Sequence, residues 1–311
     1  NDADLWRSQG GGGQAGEPAV ELRGGFGVIG IEAREYVFDF AGSDNHVSEL
    51  IWQSLAPMAT AELKASLPDE WTLKARARAA LMGDSYMEDY DWFGPDFVSY
   101  ADDDWTHRSQ HPNTSLDWYL DASLALGRNV WAEPNAKLNL NGGLRYTDVQ
   151  WAAKGGSYVY SDMSIDNPGS NFRAYTGTLP DGPVITYRQQ LPVLFAGLDA
   201  DVEEGDWSYS ASIQGGMTFF GLATDDHWLR DLRFEDRIRP TPVLAAAATA
   251  TYSVSANLGI HVTGSIEKMF LGRADTETFD TLTGTSLGTA ADVGGAELGT
   301  VSLSAGLKGS F

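Results

Sequence analysis

The 311-residue chain carries 43 acidic against 21 basic side chains, a formal net charge of −22, and no cysteine. That acidity argues against a nucleic-acid partner, which needs clustered Lys and Arg, and the missing thiols exclude disulfide scaffolds, thiol catalysis and thiolate metal sites. No run of about 18 apolar residues offers a transmembrane helix; 42% apolar content suits a soluble protein or an outer-membrane β-barrel, in which alternation dilutes the apolar residues.

Residues 1–17 include the run Ser8 to Glu17, rich in glycine, and read as a flexible N-terminal segment without a charged-then-apolar leader. From residue 18 to 311 the period is two, which predicts one barrel domain. Ten segments carry it, near 18–38, 48–66, 71–92, 115–131, 136–160, 184–202, 205–227, 242–254, 256–273 and 297–311. In the third, Trp71, Leu73, Ala75, Ala77, Ala79 and Leu81 share a face, while Thr72, Lys74, Arg76 and Arg78 take the other. In the fourth, Leu116, Trp118, Leu120, Leu124 and Leu126 oppose Asp117, Tyr119, Asp121 and Ser123. Leu138, Leu140 and Leu144 oppose Lys137, Asn139 and Arg145; Trp207, Tyr209, Ile213 and Met217 oppose serines and Gln214. The last segment alternates strictly, with Val301, Leu303, Leu307 and Phe311 on one face and Ser302, Ser304, Lys308 and Ser310 on the other. A dry core cannot hold that many charges. An apolar face toward lipid and a charged face toward a wet lumen can, so the fold class is an all-β, ten-stranded antiparallel transmembrane barrel. Short joins at 67–70, 133–135 and 203–205 alternate with long polar stretches at 88–114, 160–183, 225–241 and 272–296, as periplasmic turns and outer loops would.

Two familiar patterns fail their context. Gly25-Phe26-Gly27-Val28-Ile29-Gly30 spells a dinucleotide fingerprint, but no helix-period segment follows, so these are wall glycines. Gly284-Thr285-Ser286-Leu287-Gly288 spells a nucleophile elbow, but within a Gly/Thr-rich loop. Metalloprotease and EF-hand patterns are missing, so no metal is called for. His46 and His261 read as solitary surface or lumen residues.

Two pairs could do chemistry. Asp89 and Asp91 end the third segment, and Asp225 and His227 end the seventh. Residues two apart on a strand point the same way, roughly 6.6 Å apart, so the pairs would face each other across the outer mouth. His227 would be a general base toward a water, with Asp225 orienting its ring. Asp89 and Asp91 would share a proton and handle the leaving amine. Acidic loops that are merely solvated are the bland alternative. Unbroken alternation would turn all four toward lipid, so each strand needs a reset, for which Gly83 and Gly221 are candidates.

At this point the chain resembles the omptin family of outer-membrane proteases. Trp105-Thr106-His107-Arg108-Ser109-Gln110-His111-Pro112-Asn113-Thr114 is similar to the family's W-T-D-x-S-x-H-P-x-T signature, and Lys154 to Ser161 to its second. Glu133-Pro134-Asn135, Asp89-Tyr90-Asp91-Trp92 and Asp225-Asp226-His227 fall in the family's order, from about residue 20 to Phe311. The resemblance implies a barrel projecting above the bacterial outer membrane, with an extracellular endopeptidase site that uses water as nucleophile and no metal. It maps the Asp–Asp couple to Asp89 and Asp91 and the Asp–His dyad to Asp225 and His227. It matches Glu35 to the glutamate that holds a basic substrate side chain and His111 to a histidine near the prime side. Ser109, two residues from His111, reads as structural. The implied partners are cationic peptides or proteins, cut at or between basic residues, and the outer-membrane lipid; the protein is expected to be a monomer.

The sequence departs from the family at several positions. The aspartate of the basic pocket two residues before the dyad is Ala223, and the signature's aspartate is His107. The arginines through which the family binds lipopolysaccharide as an activator correspond to Asp148 and Gln190, with Lys154 and Arg188 nearby. A barrel that binds or adheres without proteolysis is therefore the alternative function. A passive porin is weaker, because a lumen lined with charged side chains is plugged by them.

Overall fold

A computed structural model of the chain describes residues 20–94, 96–161 and 171–311, and the Gly-rich segment 1–17 lies outside them. The strands are β1 (Val20–Phe38), β2 (His46–Ser66), β3 (Trp71–Ala80), β4 (Asp84–Asp91), β5 (His107–Glu133), β6 (Ala136–Lys154), β7 (Ser157–Tyr160) and β8 (Tyr175–Thr178). They continue as β9 (Pro183–Glu204), β10 (Trp207–Thr218), β11 (Gly221–His227), β12 (Leu232–Ile238), β13 (Thr241–Ser255), β14 (Leu258–Asp280) and β15 (Thr285–Ser310). All pairings are antiparallel, and three positions in the wall are each filled by two strands end to end. β3 and β4 both lie between β2 and β5. β10 and β11 both pair with β9, and β12 and β13 both pair with β14. β15 pairs with β1 and closes a ring of ten wall strands. Closure leaves the ten wall strands without an edge, and among the described residues the β7–β8 hairpin stands on the rim with β8 paired to β7.

The two faces sort as the alternation demands. Leu124, Leu144, Ile213, Val301 and Leu303 are exposed on the outer wall, while Arg78, Asp121, Arg145 and Asp199 are buried in the lumen. There they pair: Arg78 with Asp121 at 2.8 Å, Arg145 with Glu267 at 2.6 Å, Lys74 with Asp199 at 2.6 Å. Exposed Trp71, Trp131, Trp207 and Tyr252 ring one end of the apolar band, and Phe219 and Phe220 mark the other. The rise from Trp207 to Phe219, at about 3.3 Å per residue and a tilt of about 40°, gives a band roughly 30 Å tall, the thickness of a bilayer core. Wall glycines are set by close approach. A Cβ on Gly27 would stand 2.0 Å from the Leu303 carbonyl oxygen, which explains the false fingerprint in β1.

Three expectations are corrected. The stretch 225–241 is a β11–β12 hairpin, and 272–296 is the upper half of the β14–β15 hairpin, closed by a turn at 281–284; the wall rises well above the lipid band. The fourth segment's strand begins at His107, not near 115. Leu116 is 1% exposed rather than lipid-facing. A bulge between Leu116 and Trp118 turns Leu116 and Thr114 inward, and a second irregularity between Thr114 and His111 returns the inward face to the odd residues His111, Ser109 and His107. The expected resets near Gly83 and Gly221 are present as breaks between β3 and β4 and between β10 and β11. Their left-handed residues are Met82 (φ 66°) and Phe220 (φ 58°), each preceding the glycine. Beneath the mouth, Trp52, Trp151 and Tyr187 form a buried aromatic floor, with Trp52 and Tyr187 stacked at 5.6 Å. It separates the upper cavity from the ion pairs below.

Candidate active site

The strand breaks turn the upper halves of two opposite walls inward. β4 ends with Asp89 opposite Leu50 and Asp91 opposite Ser48 of β2. β11 sets Asp225 opposite Tyr187 and Phe234. Asp89, Asp91, Asp225 and His227 all line one cavity of about 700 Å³ above the aromatic floor. Glu35 of β1, Asp236 of β12, Ser109 and His107 of β5, and Arg230 line it as well.

His227 Nε2 stands 2.5 Å from Asp225 Oδ2. A carboxylate only accepts, so Nε2 carries the hydrogen and Nδ1 keeps the lone pair. Arg230 donates to that Nδ1 from the turn after β11, and its guanidinium lies over Phe234. Opposite, Ser48 Oγ reaches Asp89 Oδ1 at 3.5 Å. Burial pushes the Asp89 carboxyl up to about 6, with the positive charge at His227 and Arg230 limiting the rise. Burial and the neighbouring Asp89 push Asp91 well above the ordinary carboxylate range. The ionisation of each therefore depends on the state of the other.

Glu35 is 4% exposed, and its carboxyl is raised by burial first and then by Asp225, Asp236 and Asp89. Ala223 is 1% exposed and does not line the cavity. His107 accepts or donates to Thr106 Oγ1 at 2.9 Å and stacks on Phe93 at 4.7 Å; burial lowers its pKa. His111 is fully buried. Its Nδ1 lies 2.6 Å from the Gly155 carbonyl oxygen and therefore donates, leaving Nε2 to accept from Ser109 Oγ at 2.8 Å. Gly156 holds that geometry, because a Cβ there would stand 2.9 Å from His111 Nδ1. Burial lowers the pKa of His111 too. On the outer wall, Arg188 is clamped by Asp148 at 2.8 and 2.5 Å, and Gln190 bonds Tyr146 Oη at 2.8 Å.

Two cavity residues, Arg230 and Asp236, have no counterpart in the sequence reading. The stretch that holds them reads in the sequence as a polar loop, and the alternation of Phe234, Asp236 and Ile238 against Glu235 and Arg237 is its one sign of a strand.

A ten-stranded outer-membrane barrel with an acidic cavity above its lipid band is the class of protein that this fold defines. The chain belongs to the omptin family, whose model matches residues 17–311. It is 27% identical over 293 residues to the plasminogen activator of Yersinia pestis, covering 92% of this chain and 87% of that one. It is 23% identical over 263 residues to the outer membrane protease OmpP of Escherichia coli (strain K12), covering 84% and 80%. The crystal structure of the outer membrane protease OmpT from Escherichia coli shares the fold, with a TM-score of 0.84 at 22% identity over 94% of this chain and 96% of that one.

Proposed function

We propose that this barrel is an outer-membrane endopeptidase that hydrolyses cationic peptides and proteins at or between basic residues, with water as the nucleophile. The observation that carries the reading is the 2.5 Å Asp225–His227 couple facing Asp89 and Asp91 across one cavity. In the reaction His227 Nδ1 takes a proton as the water oxygen bonds to the scissile carbonyl carbon. Asp225 holds the ring and stabilises the imidazolium. The proton shared by Asp89 and Asp91 faces the developing oxyanion and keeps the attacking water in place. The imidazolium then returns its proton to the leaving nitrogen as the carbon–nitrogen bond breaks. Arg230 sits on the base nitrogen at rest, so an arriving substrate has to displace it.

The carboxylates of the cavity favour a cationic substrate by field and by contact. Glu35 receives a basic side chain, and His107 and Ser109 border the opposite side of the cleft, with His111 buried behind Ser109 rather than on the cavity wall. No metal or cofactor enters this scheme, and the monomer is the working unit. An activating lipopolysaccharide is not required, because Asp148 neutralises Arg188 on the wall where phosphate would bind. The test is peptide cleavage by refolded protein, with and without lipopolysaccharide. Asp89→Ala and His227→Ala should each lower turnover by at least a thousandfold while heat-modifiable migration of the barrel is kept; unchanged turnover in either refutes the mechanism.

Two other readings have an observation behind them. The Ser109–His111 hydrogen bond has the form of an activated serine. Survival of activity in Ser109→Ala separates the water scheme from it. The Arg230 contact on His227 suits a binding barrel without proteolysis, which intact protein and an uncut peptide library would reveal.

A further inference from the structure

We infer that Asp236, on β12, is the second carboxylate of the seat for the substrate's basic side chain, acting with Glu35 and selecting a guanidinium. The inference rests on the proteolytic reading above and assigns its specificity to a residue on a different strand from the dyad.

Asp236 lies directly opposite Ala223 in the β11–β12 pair and opposite Thr276 in the β12–β14 pair. Residues directly opposite share a face of the sheet, so all three project inward. The position is built around the carboxylate. The Thr276 hydroxyl donates to Asp236 Oδ1 at 2.5 Å. Gly294 opens the space beside it, since a Cβ there would stand 2.5 Å from the same oxygen. Ala223, the smallest side chain with a Cβ, leaves the β11 side clear. Asp236 is 4% exposed and still lines the cavity, as Glu35 does.

Among the described residues, neither carboxylate is paired with a cation. The basic neighbours of Asp236 point outward: Arg237 pairs with Glu277, and Arg239 with Asp275 and Asp292. Arg230 is engaged with His227. Glu35 Oε2 and Asp225 Oδ1, both buried, face each other and receive a donor from no other described residue. Buried acceptors without donors mark a place where a ligand supplies them. A guanidinium carries five donors in a planar fork and loses less hydration than an ammonium, so it can serve Glu35 and Asp236 together.

The test uses three peptides that differ only in arginine, lysine or citrulline at the scissile residue, citrulline being the neutral isostere. They are cleaved by wild type, Asp236→Asn, and Asp236→Ala combined with Ala223→Asp. Wild type should prefer arginine to citrulline strongly in kcat/KM. Asp236→Asn keeps the Thr276 hydrogen bond; it should reduce that ratio at least tenfold. Returning a carboxylate at residue 223 should restore most of the ratio. An unchanged ratio in Asp236→Asn overturns the inference. Calorimetric binding of the same peptides with the scissile bond reduced gives an independent reading. A wild type that binds the arginine peptide more tightly than the citrulline peptide, with that preference lost in Asp236→Asn, supports the seat even where no bond is cut; equal binding of the two by wild type overturns it.

Discussion

At the scale of single residues, the cavity is a set of acids held out of water. Burial, with Asp225 adding, pushes the Asp236 carboxyl up to about 7 against the opposing Thr276 hydrogen bond. The groups that interact with it are Glu35 from β1, Tyr187 from β9 and Asp225 from β11, and each acid disfavours ionisation of the next. Below that range the seat is neutral and has little hold on a cation. As pH climbs through about 7 the carboxyl ionises, so the KM for an arginine peptide should fall across the interval while that for the citrulline peptide stays level. Parallel profiles for the two peptides would contradict the assignment. The same shift has a sign for folding. A carboxyl whose pKa is raised on folding adds stability below its unfolded value, near 4, and loses that contribution as pH rises through the folded value. Asp236→Asn should therefore stabilise the upper barrel at pH 8, by at most about 4 kcal/mol, as read by amide exchange in β11 and β12. Destabilisation at pH 8 would mean that the ionised carboxylate is better satisfied than the structure indicates.

At the scale of elements, the strand breaks decide whether there is a site at all. Met82 and Phe220 occupy left-handed backbone that costs a residue with a Cβ about 1 kcal/mol, and a β-branched one more. Met82→Gly should leave heat-modifiable migration and activity intact. Met82→Val should lower the melting point and reduce turnover, because Asp89 and Asp91 face inward only if β4 starts with its parity reset. Equal behaviour of the two variants would show that the reset is fixed elsewhere. The ten wall strands were legible because lipid on one side and water on the other force a period of two. Above the lipid band both faces can be polar, the period fades, and β12 with the upper parts of β14 and β15 reads as loop. Asp236 was lost with β12 for that reason. The inward turn of Asp89, Asp91, Asp225 and His227 was visible as a conflict of parity, whereas Glu35, on an otherwise regular strand, was reached only through the family resemblance. The bulge at Leu116 left no mark, since a leucine suits either face there.

For the whole molecule, the question is how much of substrate capture comes from the net charge of −22 and how much from the cavity. The two respond differently to salt. Exposed carboxylates act over a Debye length of about 10 Å at 0.1 M salt, and that long-range attraction fades as salt is added. Buried acceptors such as Glu35 and Asp236 are shielded from counterions, and their contact with a cation is screened far less. Between about 50 mM and about 500 mM salt, kcat/KM for a dibasic peptide should fall by roughly tenfold through slower encounter. The ratio of arginine to citrulline cleavage should hold within about threefold over the same range, since both peptides lose the same steering. A ratio that collapses together with the rate would move specificity out of the cavity and onto the acidic rim, leaving Asp236 as one solvated charge among many.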